Sequence, residues 1–500
     1  MNILSPEQMM NCDKQSIKDS HKKSLELMKR AATGVYHVID KLNVPKGNIL
    51  ILASSSQNGG DGFALAQILY DEGYEPAVIF TGKEEHMKPE ALQYYAMCKE
   101  KKVPVLSYTA IDESVSKLLK QADIIVDAIV GINLKGELRE NLTELVNEAN
   151  LTDSVKIAID IPTGLSALSG QALPTAFKAD YTVAVQALKY GHLLADASQY
   201  CGKVVVHDIG VPTPDEICDT VFLQKEEVLS VFPERKDNAH KYYYGNILIA
   251  GGSEGMSGAP LLAARAALRC GSGLVSIGTD SSVYGQIACK APEELMVQEI
   301  DSTQTLIEQL PKKDTVVVGC GLGRLAEKEQ WLRALLMSSV QLIIDADGLY
   351  FMDKLFDTVR EKKAKLLMSP HTKEAQRLLP GSTVEEILND PVGSAKEISN
   401  LYDSEVILKT NRNIVALTSG EVYISPKGNN GMATAGSGDV LAGLAGGLAG
   451  QCKNLRHAAV CAAYLHGVCG DLAKEKYGTY SLNASDIIEM IPQGIKEILA

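Results

Sequence analysis

Residues 428–439 form a run of small and polar residues typical of a phosphate-binding turn. The run reads Gly-Asn-Asn-Gly-Met-Ala-Thr-Ala-Gly-Ser-Gly-Asp, and the apolar stretch 440–450 follows it. Its glycines and serine bring several backbone N–H groups together at a predicted helix start, where the helix dipole favours an anion. Asp439 ends the run and can take a proton from whatever meets that anion. The pattern predicts phosphoryl transfer; the alternative is a glycine-rich turn that only caps a helix.

Further motifs in the second half of the chain follow predicted strands or precede a predicted helix. They are Ser-Gly-Ala-Pro at 257–260, Gly-Cys-Gly-Leu-Gly at 319–323, Asp-Ala-Asp-Gly at 345–348, Pro-His-Thr-Lys-Glu at 370–374 and Lys-Thr-Asn-Arg-Asn at 409–413. Because ligands bind beyond the carboxyl ends of parallel strands, these motifs predict one cleft. His371 alone would more often start a helix than contact a ligand, but its place beside the other motifs favours a contact.

Three loops in the first half each combine glycine with an oxygen-bearing side chain. They are Gln-Asn-Gly-Gly-Asp-Gly at 57–62, Asp-Ala-Ile-Val-Gly at 127–131 and Asp-Ile-Pro-Thr-Gly at 160–164. Asn58, Asp127 and Thr163 at adjacent strand ends would form an oxygen ligand set suited to an alkali or alkaline-earth ion. The alternative is that each aspartate only holds a turn. The first loop lacks the GxGxxG spacing of an ordinary dinucleotide-binding fingerprint.

The elements that position these motifs are strands alternating with helices in both halves. In the first half, strands are predicted at 48–54, 76–81, 103–107, 122–128, 155–160, 180–186 and 203–208, with helices at 62–72 and 88–101. In the second half, strands are predicted at 246–250, 274–278, 315–319, 341–345, 365–369, 405–409, 413–417 and 421–424, with helices at 259–270, 372–379 and 440–450. The last two strands resemble a hairpin. Continuous apolar strands between helices predict two α/β domains with covered parallel sheets.

The positions of proline residues set the expected domain boundaries, and the composition excludes several classes of function. Pro212, Pro214 and Pro233 mark a boundary, so we expect domains at 1–215 and 235–500 joined by a linker at 216–234. A net charge of -13 leaves no basic footprint for nucleic acid. The ten scattered cysteines predict reduced, buried thiols in a cytoplasmic protein. No signal peptide or membrane span is expected, and residues 440–470 are interpreted as two helices packed closely through glycine and alanine.

The three loops of the first half resemble those of the NAD(P)HX epimerase family, over most of residues 1–210. That family has Rossmann-like αβα domains and interconverts the two C6 epimers of hydrated NADH and NADPH. The resemblance implies a potassium site at Asn58, Asp127 and Thr163. It does not identify the catalytic acid/base, for which Asp160 is our own candidate. It also implies hydrate contacts at Gln57, Asn58, Gly59, Gly60, Asp61, Gly131, Ile132, Asn133, Leu134, Lys135, Gly136, Glu137 and Asp160. Gln57 departs from the asparagine usual there.

The motifs of the second half resemble the ribokinase-like superfamily, and within it the ADP/ATP-dependent NAD(P)H-hydrate dehydratases, over roughly residues 235–495. The resemblance implies an αβα fold and Asp439 as the catalytic base. It implies hydrate contacts at Ala259, Gly321, Gly323, His371 and Asp439, and adenine-nucleotide contacts at Lys409, Thr410, Asn411, Arg412, Asn413 and Gly438. Cys320 departs from the proline usual in its glycine loop.

Both resemblances imply one repair pathway, in which the epimerase supplies the hydrate epimer that the dehydratase converts to NAD(P)H. The expected cofactors are K⁺ at the epimerase site and Mg²⁺ with ADP, which would yield AMP and phosphate; residues alone do not decide between ADP and ATP, or between the NADH and NADPH hydrates. A homo-oligomer is expected. The alternatives are a ribokinase-type vitamin-precursor kinase with an accessory N-terminal domain, and a first half that only binds a ligand.

Overall fold

The chain folds into two compact units in a computed structural model that describes residues 1–17, 21–42, 44, 46–134, 136–214 and 217–500. The units comprise Asn2–Cys218 and Asp219–Ala500. Each contains its own sheet and its own buried apolar clusters.

The N-terminal unit is built on a seven-stranded parallel sheet in the order β4-β3-β2-β5-β6-β7-β9. Its strands are β1 Asn2–Leu4, β2 Asn48–Ala53, β3 Glu75–Phe80, β4 Val105–Ser107, β5 Ile124–Ala128, β6 Val155–Ile159, β7 Tyr181–Val185, β8 Leu188–Lys189 and β9 Lys203–His207. Its helices are α1 Pro6–Ile17, α2 His21–Lys41, α3 Gln57–Asp71, α4 Pro89–Glu100, α5 Glu113–Gln121, α6 Glu140–Asn150 and α7 Ala197–Tyr200. A separate parallel pair joins β1 to β8.

Apolar clusters cover both faces of this sheet. On one face, residues of α2, α3 and α4 such as Val35, Phe63 and Tyr95 pack against alternate strand residues. On the other face, α5 and α6 contribute Leu119 and Leu145. Strands buried on both faces require continuous apolar runs, which explains why all seven were visible in the sequence. The predicted Rossmann-like three-layer fold is confirmed, whereas α1, α2, β1 and β8 were not predicted.

The C-terminal unit has a ten-stranded sheet in the order β13-β12-β11-β14-β15-β16-β17-β18-β19-β10. Its strands are β10 Thr220–Phe222, β11 Asn246–Ala250, β12 Leu274–Thr279, β13 Met296–Glu299, β14 Thr315–Val318, β15 Gln341–Ile344, β16 Lys365–Met368, β17 Glu405–Lys409, β18 Asn413–Ala416 and β19 Val422–Ile424. Its helices are α8 Lys225–Val231, α9 Gly258–Arg269, α10 Ser281–Ala288, α11 Thr303–Gln309, α12 Ala326–Leu336, α13 Phe356–Arg360, α14 Thr372–Leu378, α15 Val384–Asn389, α16 Pro391–Tyr402, α17 Ser437–Cys452, α18 Leu455–Tyr477 and α19 Ala484–Leu499.

The strands from β13 to β17 run parallel, and β18 reverses the direction. It pairs antiparallel with both β17 and β19, so the predicted hairpin of the last two strands is confirmed. Alternate strand residues such as Ile247 and Val317 pack against α9, α17 and α18, while Leu248 and Val316 are buried on the opposite face. Both faces are therefore covered, as predicted for an αβα fold.

Helix α17 is buried along most of its length because small residues let its neighbours approach closely. A Cβ on Gly443 would lie 2.1 Å from the carbonyl oxygen of Ala263 in α9. The segment 440–470 does form two helices, α17 and α18, as predicted. Across the part of the chain that the structure describes, no helix combines the length and hydropathy needed to span a bilayer.

The segment 216–234, expected as a linker, contains regular elements in its described part. Strand β10 pairs in parallel with β19, and Val228 of α8 is fully buried in the core of the C-terminal unit. A buried valine and a paired strand are properties of a folded domain. The C-terminal unit thus starts at Asp219 by its contacts, while the limits of the two catalytic domains stay a prediction.

Candidate functional sites

A cavity of about 580 Å³ opens at the carboxyl edge of the N-terminal sheet. Of the predicted contacts, it is lined by Gln57, Asn58, Asp61, Gly131, Ile132, Asn133 and Asp160. These residues follow β2, β5 and β6, which are neighbours in the sheet. Within the described ranges, Gly59, Gly60, Leu134, Gly136 and Glu137 do not line it, and Lys135 lies outside the described residues. The structure thus brings the three predicted loops to one cavity.

The first loop is shaped by the start of α3. Ser56 caps the helix, since its hydroxyl accepts a hydrogen bond from the Gly59 N–H at 3.0 Å and donates to the Ile129 carbonyl at 2.9 Å. A Cβ on Gly59 would lie 1.9 Å from the Ser54 carbonyl oxygen. Glycine is therefore required where the helix start meets the strand end.

Asp127 ties the ends of β5 and β6 together. It is fully buried; its Oδ2 accepts from the Thr163 N–H at 2.6 Å, and its Oδ1 accepts from the Thr163 hydroxyl at 2.7 Å. The Thr163 hydroxyl in turn accepts from the Val130 N–H at 2.9 Å. Burial raises the pKa of Asp127 to about 6, against the lowering effect of these hydrogen bonds. Positive charge placed here would stabilise the ionised carboxylate.

The side chain of Asn58 supports the predicted cation site. Its amide nitrogen is buried with no hydrogen-bond partner, and a Cβ on Gly131 would lie 3.6 Å from its amide oxygen. Amide oxygen and nitrogen positions are assigned from the surrounding hydrogen bonds. Turning the amide would place an acceptor oxygen in the unsatisfied position. An amide, a carboxylate and a hydroxyl oxygen fit a hard cation such as K⁺.

Asp160 is held in an unusual conformation at the end of β6. Its φ of 64° lies in the left-handed region that non-glycine residues seldom adopt. Oδ1 accepts hydrogen bonds from the Lys189 ammonium at 2.5 Å and the Val185 N–H at 3.1 Å. Its carbonyl oxygen bonds the His192 Nε2 at 2.6 Å. Val185 and Lys189 therefore fix the carboxylate of Asp160, and His192 fixes its backbone carbonyl.

Two further carboxyl groups line the same cavity. Burial, and then the charges of Asp160 and Asp13, raise the pKa of Asp61 well above its usual range. Burial raises the pKa of Asp13 to about 6, while Lys189 lowers it. Asp13, Lys189 and His192 were missed because they lie on α1, on β8 and on the turn after β8, where none of the sequence motifs was found. The α1 helix brings Asp13 to the cavity only through tertiary packing.

In the C-terminal unit, Asp439 lies in the first turn of α17. The helix begins at Ser437, after Gly436 in a left-handed conformation with φ of 87°. This confirms the predicted helix start, while the anion-binding role of the turn stays a prediction. Burial raises the pKa of Asp439 to about 6, assisted by the charge of Asp345 and opposed by a hydrogen bond from Cys320. A carboxylate with this pKa is ionised at neutral pH and still basic enough to accept a proton.

The Lys409 ammonium neutralises the carboxylates around Asp439. It lies 2.5 Å from Asp345 Oδ1 and 3.7 Å from Glu374 Oε2, and a Cβ on Gly438 would be 3.5 Å from its nitrogen. Polar atoms of Cys320, Asp345 and Asp439 all lie within 4.8 Å of one another. Lys409, predicted as a nucleotide contact, thus lies close to Gly438 of the predicted phosphate turn. The sequence pointed to Asp345 only as part of a strand-end motif.

The remaining predicted hydrate contacts lie on neighbouring loops. A Cβ on Gly321 would be 3.2 Å from that of Ala259, which places the two side by side. The Gly323 N–H donates to Asp347 Oδ2 at 3.0 Å. His371 caps α14, since its Nδ1 accepts from the backbone of Lys373 at 3.1 Å, and its ring is half exposed. The helix-start interpretation of His371 is therefore correct. Its Nε2 lies 3.3 Å from Glu374 Oε1, and the ligand contact stays a prediction.

The loop between β17 and β18 carries the other predicted nucleotide contacts. Thr410 donates to the Arg412 carbonyl at 2.5 Å, which closes a tight turn. The Arg412 guanidinium donates to the carbonyl oxygens of Ser425, at 3.5 Å, and Pro426. Arg412 therefore connects this loop to the chain that enters the glycine run. Asn411 and Asn413 lie in the same turn and at the start of β18.

Comparisons with known proteins match both halves. A family described as NAD(P)H-hydrate dehydratase matches residues 247–493, and one described as YjeF-related protein N-terminus matches residues 24–191. The chain is similar to bifunctional NAD(P)H-hydrate repair enzymes Nnr of Coxiella burnetii (31% identity; 92% of this chain, 93% of the relative) and Moorella thermoacetica (31%; 100% and 97%). It is also similar to a crystal structure of the ADP/ATP-dependent NAD(P)H-hydrate dehydratase from Bacillus subtilis, co-crystallised with ATP/Mg²⁺ (28% identity, TM-score 0.50; 55% of this chain, 98% of that chain).

Proposed function

The chain belongs to the family of bifunctional NAD(P)H-hydrate repair enzymes, and we propose that it carries out both reactions of this repair. The N-terminal unit epimerises hydrated NADH or NADPH, and the C-terminal unit dehydrates the S epimer at the expense of a nucleotide. The observation that carries the proposal is the placement of Asp439, a half-buried carboxylate in the first turn of α17 that lies near the Lys409 ammonium. A base next to an anion site is the arrangement that phosphoryl transfer needs.

In the epimerase reaction, the C6 hydroxyl leaves the hydrate and water returns to either face of the resulting iminium. Asp160 lines the cavity and exchanges the protons of these two steps. Gln57, Asn58 and Asp61 at the start of α3 hold the hydrate beside it. Potassium, held by Asn58, Asp127 and Thr163, would supply the positive charge that keeps the Asp127 carboxylate ionised and the loops fixed.

In the dehydratase reaction, Asp439 removes the proton of the C6 hydroxyl, and that oxygen attacks the terminal phosphoryl group of the nucleotide. The turn at Gly436–Gly438 and the Lys409 ammonium stabilise the charge on the transferring group. The C6–O bond of the phosphate ester then breaks with its electron pair on phosphate. The ring nitrogen supplies the electrons for departure, and loss of a proton from C5 restores the dihydropyridine.

The nucleotide is proposed to be ADP, which enters as its Mg²⁺ complex and leaves as AMP. The support is the resemblance to fused two-domain chains; the related B. subtilis dehydratase is described as ADP/ATP-dependent. We assign the epimerase to residues 1–215 and the dehydratase to residues 235–500. A cytoplasmic homo-oligomer is part of the same proposal.

The test is to incubate the purified chain with mixed hydrate epimers, with and without ADP, ATP and K⁺. The proposal expects complete recovery of NADH absorbance with ADP, one phosphate released per hydrate, and conversion of the R epimer only through the N-terminal site. A stable phosphorylated product without NADH would instead indicate a small-molecule kinase. Asp439→Ala should retain nucleotide binding and lose turnover.

A further inference from the structure

Lys189 is a buried lysine whose ammonium is hydrogen-bonded to groups inside the protein. It ends the short strand β8, and its side chain is only 1% exposed. Its ammonium donates to Asp160 Oδ1 at 2.5 Å and to the Val185 carbonyl at 2.7 Å. Burying an ammonium is costly unless it is paired and hydrogen-bonded. The contact with the Asp160 carboxylate therefore compensates for the burial of the Lys189 ammonium.

His192 completes the contact three residues later. Its Nδ1 accepts a hydrogen bond from the Lys189 N–H at 2.9 Å, so the ring proton is on Nε2, which donates to the Asp160 carbonyl at 2.6 Å. Burial lowers the pKa of His192 to about 4 and keeps the ring neutral. One turn thus holds both the carboxylate and the strained backbone of Asp160.

The two oxygens of Asp160 have different surroundings. Oδ1 receives donors from Lys189 and Val185, whereas no residue in the described ranges donates a hydrogen bond to Oδ2. Asp160 lines the cavity together with Asp13 and Asp61, and burial, followed by nearby charges that include Asp160, raises the pKa of both of these carboxyl groups. Lys14 and Lys88 also line this cavity, but both are exposed. Lys189 is the buried cation in contact with Asp160.

We propose that Lys189 is a positioning residue of the epimerase reaction, which fixes Asp160 Oδ1 and leaves Oδ2 to exchange protons with the hydrate. This rests on the proposed function of the N-terminal unit. Lys189 acts through Asp160 and does not contact the hydrate itself. Its loss therefore lowers the turnover number of epimerisation and leaves the KM for the hydrate nearly unchanged.

The experiment uses the full chain with Lys189→Met and measures R-to-S conversion together with dehydration of the S epimer. We expect the epimerase kcat to fall about 100-fold, the scale of one general acid/base contribution, with KM within about twofold and dehydratase activity intact. Lys156→Met is the matched control. Lys156 is also buried, but among the described residues its ammonium bonds only the carbonyls of Thr152 and Ser154, and Lys156 does not line the cavity. It should retain the wild-type epimerase rate.

A double-mutant cycle with Asp160→Asn separates positioning from general structural support. If Lys189 acts through Asp160, adding Lys189→Met to Asp160→Asn should change the residual rate less than twofold. An equal loss in both backgrounds would overturn the proposal, as would a wild-type epimerase rate in Lys189→Met. If Lys189→Met does not fold, Lys189→Arg, which keeps the charge but moves the donor, should lose at least tenfold in kcat; full activity in that variant also refutes it. Absence of epimerase activity in the wild-type chain would refute the proposed function instead.

Discussion

Replacing Asp439 with asparagine should abolish dehydration and stabilise the fold at the same time. Asp439 has a pKa of about 6 because it is buried and lies near the charge of Asp345. Ionisation is needed for Asp439 to take the hydroxyl proton of the hydrate, yet ionisation is what the folded site disfavours. The wild-type kcat/KM for dehydration should therefore fall as the pH drops below 6, by about tenfold per unit.

The stability change follows from the same pKa. The ordinary value is 3.8 and the folded value about 6, and at 1.36 kcal/mol per unit the difference is at most about 3 kcal/mol. Because the folded pKa is raised, this group's contribution to stability is full below pH 4 and is lost as the pH rises through 6. Asp439→Asn has no such loss. Its free energy of unfolding should exceed that of the wild type by about 1–3 kcal/mol at pH 8, and the excess should vanish towards pH 4.

The assay is urea unfolding of the full chain at pH 5, 6, 7 and 8, followed by calorimetric binding of ADP and measurement of turnover. The matched control is Asp357→Asn, since Asp357 is exposed on α13; it should change neither stability nor rate. The reasoning is refuted if Asp439→Asn is no more stable than the wild type at pH 8. A wild-type dehydration rate that is constant between pH 7 and pH 5 would refute it equally.

Two further predictions concern the N-terminal unit. Asp127→Ala should destabilise this unit by about 1–3 kcal/mol for each donor of Thr163 left unsatisfied and remove the dependence of epimerisation on K⁺. Thermal unfolding checks the first effect and epimerisation rates with and without K⁺ check the second; a K⁺-dependent rate in the variant would contradict the ligand assignment. Gly59→Ala should destabilise the N-terminal unit strongly, because the added Cβ would lie 1.9 Å from the Ser54 carbonyl oxygen. Gly131→Ala is the control, since the atom nearest to its added Cβ would be 3.5 Å away. Equal thermal midpoints for these two variants would contradict the prediction by showing that the loop relaxes freely.

The sequence predicted the sheets well because their strands are short apolar runs with glycine or aspartate at the carboxyl end. Each predicted strand of the N-terminal sheet is present within two residues, for example Ile124–Ala128 and Val155–Ile159. Strands buried on both faces need such runs regardless of their neighbours. Strands such as β10 and β13 were missed because Thr220–Phe222 and Met296–Glu299 are too short and too polar to stand out.

For the site as well, the sequence predicted some features, and others became clear only from the structure. The loops of Asn58, Asp127 and Asp160 meet at one cavity edge because their strands are adjacent and parallel, and parallel strands present their carboxyl ends together. For His371, both interpretations came from the sequence, and the structure shows that its ring caps α14 while staying half exposed. The roles assigned to these side chains remain predictions.

The sequence by itself determined the two α/β units, the order of their glycine-rich turns and the aspartates that end the strands, because these depend on local apolar runs and on glycine at tight turns. Only the tertiary structure decided which charges meet. Lys189 reaches Asp160, and Lys409 reaches Asp345, across separations of 29 and 64 residues. Coulomb interactions depend on distance in space and on burial, and neither can be obtained from the order of residues along the chain.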